Sequence, residues 1–364
     1  MRYFDYLDEA RQSEIFFSTP KEFNKLAPRE ALSYSLGALL YIPAVRENML
    51  GLLVEDKLKE VKAVVICLED SAGNKGEEKA KDNLVTLLKK YDERLQNSDL
   101  KEEDLPLIFI RPKGYKHMTK LLPYIEKYLY ILTGICIPKA KLEQLKKFII
   151  LNEQLKLKKI NLYLMPIIET KDYVYFEKTN KALEKLALLI AKNKEQFLNI
   201  RMGMTDILGL YGLRRVKGFT IYDNLLFTSF APKVTNIMNR KEIDIPVSGA
   251  VFEHFDFQDK VIRTTFIKEI LLDKYNGIMG KTVIHPKQVN IVAALQVINY
   301  EDYIDAKAIM KNYDGIYGTI KSYSGDRMNE INPHLNWAKK IIFLADIYGV
   351  FNKGVDYNEL LKGE

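Results

Sequence analysis

Eight short apolar runs recur along the chain, and each one ends at a polar or glycine residue. The runs are apolar almost throughout rather than alternating, which is typical of parallel strands covered on both faces. Their centres lie about 25 to 45 residues apart, which leaves room for a crossover helix after each strand. The runs are ALLYIPA ending at Ala44, AVVICLED at Asp70, LIFIRP at Pro112, GICIPKA at Ala140, LYLMPIIET at Thr170, NIRMGMTDI at Ile207, IPVSGAV at Val251 and GKTVIHP at Pro286.

Eight repeats of strand and helix predict an α/β fold of the (β/α)8 TIM-barrel type, with an open doubly wound sheet as the alternative. The intervening segments have helical spacing, as in Met49, Leu50, Leu53, Val54 and Leu58 and again in LEKLALLIAK. Further helices are predicted near residues 287–298, 303–313 and 334–348.

The segments that flank the eight runs are predicted to be helical as well. Residues 1–36 are rich in aromatic side chains, which favours a packed N-terminal helical extension that caps the barrel. We therefore expect a barrel over residues 1–300 and a C-terminal helical extension or lid over residues 301–364. The stretch GTIKSYSGDRMNEINP within that extension is predicted to be a long connection.

Composition narrows the class of protein. The chain has 55 Lys and Arg against 48 Asp and Glu, a net charge of +7, but the basic residues are scattered, which favours a solvated helical exterior over nucleic-acid binding. Its two cysteines, Cys67 and Cys136, lie in apolar runs, so neither a disulfide framework nor a thiolate zinc site is expected. The polar, acidic N-terminus and the lack of apolar runs of roughly 20 residues predict a cytoplasmic protein without a membrane span.

Charged side chains stand at the predicted carboxyl ends of the strands, which is the catalytic face of a TIM barrel. Such charges after apolar strands indicate a convergent polar site rather than chance. In chain order these residues are Glu69 and Asp70, Arg111, Lys139, Glu169, Thr205 and Asp206, Ser248, and His285.

Glu169 and Asp206 would end neighbouring strands, so their carboxylates are expected to meet at one metal ion. Oxygen ligands without His or Cys favour Mg²⁺, with Mn²⁺ as the second choice. The alternative is that both acids cap the helices that follow them. Arg111 offers a fixed fork for a carboxylate or a developing enolate oxygen, and it can at the same time form a salt bridge with Glu69 or Asp70.

The other strand-end residues have more open roles. Glu69 and Asp70 are expected to orient Arg111 and Lys139 or to touch metal-bound water, and Lys139 to act as an electrostatic partner rather than as a Schiff-base nucleophile. The turn formed by Gly203, Met204 and Thr205 offers backbone N–H groups to a substrate carboxylate. His285 either contacts the substrate or forms a structural hydrogen bond.

Ordered motifs along the chain carry a family resemblance. LLYIPA, ICLEDS, FIRP, IPKA, PIIET, GMTDI and GKTVIHPKQV resemble the citrate lyase beta-subunit-like group of the HpcH/HpaI aldolase superfamily. The segments LGALLYIPAVR, TDILGLYGLRR with TIYD, VSGAVFEHF and YFDYLDEARQSEIFFSTPKEF are similar to a subfamily described as carbon–carbon bond lyases of the TIM-barrel fold, associated with bacterial tellurite-resistance and stress-response gene clusters.

The resemblance implies Mg²⁺ on Glu169 and Asp206, Arg111 on the substrate carboxylate or enolate, and the turn from Gly203 to Asp206 on the carboxylate end. It also implies that a C-terminal segment, often from a neighbouring subunit of a trimer or hexamer, brings an acid over the site. The matching stretch is GDRMNEINPH, and the acid is Glu330, where relatives more often have Asp.

Together these observations predict a Mg²⁺-dependent carbon–carbon bond lyase of aldol or Claisen type. Its substrate is expected to be a small 2-oxo or hydroxy acid or the CoA thioester of one. One alternative is an aldolase for a phosphorylated or nucleoside-linked substrate without CoA, which Arg214 and Arg215 would suit. Another is a catalytically silent barrel that serves as a binding module. Arg214, Arg215, Tyr222 and Asp223 have no assigned role, and both packing and binding are open for them.

Overall fold

The computed structural model describes residues 1–55, 57–69, 76–313, 315 and 318–362. The strands among these residues are β1 (Phe16–Ser18), β2 (Ala38–Pro43), β3 (Ala63–Cys67), β4 (Leu107–Arg111), β5 (Gly134–Ile137), β6 (Tyr163–Ile168), β7 (Ile200–Met202), β8 (Val247–Ser248), β9 (Lys281–Val283), β10 (Thr319–Lys321), β11 (Met328–Glu330) and β12 (Val350–Phe351).

Helices fill most of the intervals between these strands. They are α1 (Glu9–Ile15), α2 (Arg29–Tyr34), α3 (Glu47–Val54), α4 (Glu77–Gln96), α5 (Tyr115–Ile125), α6 (Leu142–Leu157), α7 (Lys171–Val174), α8 (Phe176–Lys192), α9 (Met204–Gly209), α10 (Leu225–Met238), α11 (Lys260–Tyr275), α12 (Lys287–Gln296), α13 (Tyr300–Lys311), α14 (Ile331–Tyr348) and α15 (Tyr357–Leu360).

The chain divides into two compact units. The larger one comprises residues 24–289, and the smaller one comprises residues 1–23 together with 290–364. The expected boundary between residues 300 and 301 stays a prediction.

The larger unit contains a parallel eight-stranded sheet in the order β8-β7-β6-β5-β4-β3-β2-β9. A parallel bridge between Gly249, which follows β8, and Lys281 of β9 joins the two end strands into a barrel. Each of the eight apolar runs contains one of these strands, so the predicted (β/α)8 barrel is confirmed. The runs are apolar because both strand faces are covered: every residue of β3 and of β4 is buried.

The barrel helices follow the predicted amphipathic pattern. Helix α4 buries Leu84, Leu87, Leu88 and Tyr91 at helical spacing while its charged residues stay outside. Helix α8 does the same in the LEKLALLIAK stretch. Helix α3 ends at Val54, so Leu58, which the helical pattern included, lies beyond it.

The smaller unit is held together by contacts between distant parts of the chain. Strand β1 pairs with β12 in antiparallel fashion, with Phe16 opposite Phe351. The ring of Tyr3 packs against Tyr348 with centroids 4.7 Å apart. The predicted helical extension thus contains strand β1 in addition to helices, because Phe16 finds a strand partner near the other end of the sequence. The predicted long connection contains the hairpin β10–β11.

Among the described helices, none combines the length and the apolar character that a membrane crossing requires.

Candidate active site

A cavity of about 330 Å³ lies at the carboxyl ends of the barrel strands. It is bounded by residues from β2, β4, β6, β7 and β9 and by the segments that follow β6, β7, β8 and β9. Its walls include Tyr41, Arg111, Glu169, Arg201, Asp206 and Thr282. A volume of this size suits a small ligand rather than a large one.

Glu169 follows β6 and is 4% exposed. Its Oε1 accepts a hydrogen bond of 2.7 Å from the backbone N–H of Lys139, which follows β5 and has a positive φ of 47°. Gly203 faces the other side, where a Cβ would lie 2.1 Å from Oε2 of Glu169. The carboxylate is therefore held by one backbone N–H, and only glycine fits at position 203 beside it.

Burial raises the pKa of Glu169 to about 8, against the lowering effect of Arg111, while the charge of Asp206 raises it further. A buried carboxyl beside a second acid is a position that a cation stabilises. The electrostatics of Glu169 therefore fit a site that takes up a metal ion.

Glu69 links the two basic residues of the predicted cluster. Its Oε2 lies 2.5 Å from Nη2 of Arg111, and its Oε1 accepts a hydrogen bond of 2.7 Å from Nζ of Lys139. The guanidinium of Arg111 also lies 3.7 Å from Oε1 of Glu169, and Nζ of Lys139 lies 3.8 Å from Oδ1 of Asp206. The structure thus brings five of the predicted residues together, with Glu69 in contact with both Arg111 and Lys139, and the orienting role of Glu69 stays a prediction.

The two predicted metal ligands of this cavity are carboxylates. Both Glu169 and Asp206 line it. Among the described residues, no group of three or more His, Cys, Asp and Glu side chains is arranged to hold a metal ion. Asp70, the remaining predicted acid, lies outside the described residues. Two carboxylates fit Mg²⁺, which usually keeps several waters or substrate oxygens as ligands, and the assignment stays a prediction.

The predicted carboxylate-binding turn leads directly into α9. Gly203 precedes this helix, and its own N–H donates to the carbonyl of Ile168 at 3.1 Å. Met204, Thr205 and Asp206 all line the cavity, and the side chain of Met204 is buried. Binding of a substrate carboxylate at this turn thus remains a prediction. The backbone N–H groups available for it are those that come after Gly203.

Three other predicted residues have different surroundings. His285 stacks on Phe255 with centroids 4.6 Å apart, and burial together with Lys287 lowers the pKa of His285. This packing favours its structural alternative. The hydroxyl of Ser248 is buried and donates to the carbonyl of Met279 at 2.9 Å. Glu330, in the smaller unit, is exposed at the end of β11, and its role stays a prediction.

Arg201, Tyr41 and Thr282 belong to the cavity wall although the strand-end pattern did not include them. They lie within β7, β2 and β9 rather than after them. The signal that could have found Arg201 is a charged residue inside an apolar run, which is rarely placed there without a function or a partner.

Arg215 belongs to a buried ion network instead of the cavity. Its two Nη atoms donate to the two oxygens of Glu269 at 2.7 and 2.9 Å. Nζ of Lys281 lies 2.8 Å from Glu269 and 2.6 Å from Asp273. These contacts occupy the guanidinium. Arg215 is therefore not available to bind a phosphate group, as the alternative of an aldolase for phosphorylated substrates would require.

The other residues without an assigned role differ in their surroundings: Tyr222 and Asp223 are held by hydrogen bonds, and Arg214 is exposed. The hydroxyl of Tyr222 donates to Asp273 at 2.9 Å, and the carboxylate of Asp223 accepts from the backbone N–H of Thr220 at 2.8 Å. The side chain of Arg214 is 88% exposed, with Nε 3.6 Å from Oε2 of Glu253, a residue of the cavity wall. Among these four residues, Arg214 is the one left at the cavity rim.

Comparison with known proteins gives one matching family. The sequence model of that family, described as C-C bond lyase of the TIM-Barrel fold, matches residues 30–350. No curated protein sequence matches the chain.

Solved structures share the fold at low sequence identity. A citrate lyase from Burkholderia xenovorans has a TM-score of 0.65 at 13% identity, over 90% of this chain and 96% of that one. The protein CitE from Mycobacterium tuberculosis, in complex with magnesium, acetoacetate and coenzyme A, has a TM-score of 0.56 at 16% identity, over 85% and 97%. Haloferax volcanii malate synthase, in a magnesium and glyoxylate complex, has a TM-score of 0.52 at 16% identity, over 70% and 74%.

Proposed function

The chain belongs to the family of C–C bond lyases of the TIM-barrel fold, and from this premise we propose that it is a Mg²⁺-dependent lyase of aldol or Claisen type. Its substrate is a small 2-oxo or hydroxy acid or the CoA thioester of one. The observation that carries the proposal is the buried carboxylate of Glu169, which shares one cavity with Asp206 and Arg111.

Glu169 and Asp206 would hold the metal. When bound, Mg²⁺ would act as a Lewis acid and as a template for the substrate oxygens. Cleavage of a carbon–carbon bond next to a carbonyl leaves an enolate, whose negative charge must be stabilised as it forms. Arg111 supplies fixed positive charge for that oxygen, and such preorganised groups commonly lower a barrier by several kcal/mol.

Two further residues, Glu69 and Lys139, position Arg111 and add charge to the site. Glu69 holds Arg111 and Lys139 in place through its two oxygens, and Lys139 contributes positive charge between Glu69 and Asp206. Transfer of a proton to or from the substrate carbon requires a further acid–base group, and we assign this step to Glu330 in the C-terminal segment of a neighbouring subunit, as the family resemblance implies.

The ligands of the similar structures are consistent with the proposal. CitE from Mycobacterium tuberculosis was solved with magnesium, acetoacetate and coenzyme A, and Haloferax volcanii malate synthase with magnesium and glyoxylate. We extend the metal to this chain because Glu169 and Asp206 offer it two oxygen ligands. We likewise propose that the protein works as a homo-oligomer in the cytoplasm and that it takes its substrate as the free acid or as the CoA thioester.

An aldolase for phosphorylated substrates without CoA is the second candidate. The exposed Arg214 at the cavity rim is the observation that favours it. The buried Arg215 no longer supports it.

Metal binding and turnover test the proposal together. We would titrate Mn²⁺ into the protein, detect free Mn²⁺ by electron paramagnetic resonance, and assay cleavage of malyl-CoA and citryl-CoA. Glu169→Ala and Asp206→Ala should each abolish Mn²⁺ binding and turnover. Glu253→Gln, which alters a different carboxylate of the same cavity, should keep Mn²⁺ affinity. Tight Mn²⁺ binding in either alanine variant would disprove the metal assignment.

A further inference from the structure

Arg201 is a buried cation in the wall of the site cavity. The residue lies on β7 and is 2% exposed. Among the described residues, its guanidinium donates to two neutral oxygens: Nη2 to Oγ1 of Thr282, and Nη1 to Oδ1 of Asn199 at 3.4 Å. Its Nε is buried and has no hydrogen-bond partner in the described part of the chain. Arg201 is thus only partly satisfied by its neighbours.

Within the described part of the chain, the guanidinium of Arg201 also has no counter-ion. No Asp or Glu oxygen of the described residues lies within the 4.0 Å of an ion pair with it, whereas Arg111 in the same cavity lies 2.5 Å from Glu69. A buried charge without an opposite charge is costly, and proteins rarely keep one without use. An anion that enters the cavity would supply the missing charge.

Tyr41 does not provide that charge. Its ring centroid lies 6.0 Å from Cζ of Arg111 and 5.8 Å from Cζ of Arg201, which places both guanidinium groups beside one aromatic ring. Burial raises the pKa of Tyr41 well above its usual value, so the phenol stays neutral. The ring stabilises both cations through its π face but leaves the charge of Arg201 uncompensated.

Thr282 adds a second donor at the same place. Its Oγ1 accepts the hydrogen bond from Arg201, and its own O–H hydrogen has no acceptor among the described residues. Both residues line the cavity. A guanidinium beside a free hydroxyl hydrogen suits an oxyanion, which accepts from both groups.

We propose that Arg201 and Thr282 form a subsite for a second anionic group of the substrate, either a carboxylate or a phosphate. In the proposed function, the first carboxylate would bind beside Arg111 at the Mg²⁺ that Glu169 and Asp206 would hold. This inference rests on the proposed function and narrows its substrate to an acid that carries two anionic groups.

Three stable acids with a common 2-hydroxycarboxylate test the subsite. Malate adds a second carboxylate, 3-phosphoglycerate adds a phosphate, and 2-hydroxybutyrate adds an uncharged methyl group. Binding of each would be measured by isothermal titration calorimetry with Mg²⁺ present. We expect the wild-type protein to prefer one dianion over 2-hydroxybutyrate by about 10- to 100-fold, as for a charge-assisted hydrogen bond. Whichever of malate and 3-phosphoglycerate binds more tightly identifies the second group.

Substitution at the subsite should remove this preference. Arg201→Gln keeps hydrogen-bond donors but loses the charge, so it should bind all three acids with similar affinity. Thr282→Val should reduce the preference by less, about 3- to 10-fold. Because neither residue is a proposed metal ligand, Mn²⁺ affinity should stay at the wild-type value in both variants.

Several outcomes would overturn the subsite. One is a wild-type protein that binds malate and 3-phosphoglycerate no better than 2-hydroxybutyrate, a result that does not depend on any variant. Another is an Arg201→Gln protein that still prefers malate or 3-phosphoglycerate over 2-hydroxybutyrate. A third is an Arg201→Gln protein that binds all three acids more weakly by the same factor and has a lower melting temperature, as expected if Arg201 is purely structural. If the wild-type protein bound no Mn²⁺, the proposed function would be refuted instead. A preference for malate or 3-phosphoglycerate over 2-hydroxybutyrate, measured without metal, would still support the subsite.

Discussion

Gly203 lies against Glu169 so closely that a Cβ at position 203 would be 2.1 Å from Oε2 and 2.6 Å from Cβ of the glutamate. The second contact is close to the backbone of Glu169, so rotation of the carboxylate alone would not relieve it. The start of α9 and the end of β6 can therefore hold their acids in one cavity only when residue 203 has no side chain.

Gly203→Ala should consequently displace Glu169 and weaken Mn²⁺ binding by at least 10-fold, since loss of a ligand's position costs more than about 1.4 kcal/mol. Gly209→Ala is the matched control, because a Cβ at position 209 meets nothing within 4 Å in the same helix. Equal Mn²⁺ affinity in the two variants would contradict the role given to Gly203.

The pH dependence of metal binding follows from the raised pKa of Glu169. Below pH of about 8 the metal-free carboxyl keeps its proton, and metal has to displace it. Mn²⁺ affinity should therefore rise with pH, by up to about 10-fold per unit, and level off above this value. Metal titrations at several pH values measure this slope, and an affinity that is flat with pH would argue against Glu169 as a ligand.

The stability of the metal-free protein should change in the opposite sense. Because the pKa of Glu169 is raised from 4.5 to about 8 by burial, the folded state holds a proton that the unfolded state releases. The contribution of this proton to the free energy of unfolding is complete below the unfolded-state pKa of 4.5. It is lost as pH rises through the folded-state pKa of about 8. Glu169→Gln should remove this part of the pH dependence in urea unfolding curves, and an unchanged curve would count against the buried carboxyl.

Arg215 and Arg214 are adjacent in sequence but should differ strongly in their effect on stability. Arg215→Met breaks a buried bidentate ion pair with Glu269, and we expect a loss of about 3 kcal/mol or more in the free energy of unfolding. Arg214→Ala changes an exposed side chain and should cost less than about 0.5 kcal/mol. Urea denaturation checks both values, and similar losses in the two variants would refute the network's role.

Gly349 should be essential for the smaller unit. Its φ is 82°, and a Cβ there would lie 2.8 Å from the carbonyl oxygen of Ser18. Gly354 has a similar φ of 79°, but a Cβ at that position meets nothing within 4 Å. Gly354→Ala therefore measures backbone strain alone, about 1 kcal/mol, and Gly349→Ala should destabilise by about 2 to 4 kcal/mol. Thermal unfolding of the two variants gives this difference, which would vanish if the β1 and β12 pairing did not depend on the close approach.

The barrel could be predicted because its main signal is local. Parallel strands that are covered on both faces must be apolar throughout, so β3 and β4 are visible as AVVIC and LIFIR without any knowledge of the rest of the fold. The acids and bases at the carboxyl ends of the barrel strands were visible for a related reason, since strand ends in a closed parallel barrel converge at one face. That reasoning found Arg111 and Glu169.

Arg201 and Arg215 could not be placed by the same reasoning. Arg201 lies in a strand of three residues, too short for alternation to show which face it occupies. The partner of Arg215 is Glu269 on α11, 54 residues further along the chain and beyond β8, and nothing near either residue in sequence indicates the pair. Both assignments depend on long-range geometry.

The pairing of Phe16 with Phe351 also has a consequence for how the protein is made. During translation, residues 16–18 emerge early, but their partner strand is synthesised only after all eight barrel strands. Contacts of such long sequence separation form late and slowly, so the aromatic N-terminal segment would remain exposed on the nascent chain until then. We expect this segment to be the part of the newly made chain that depends most on a chaperone.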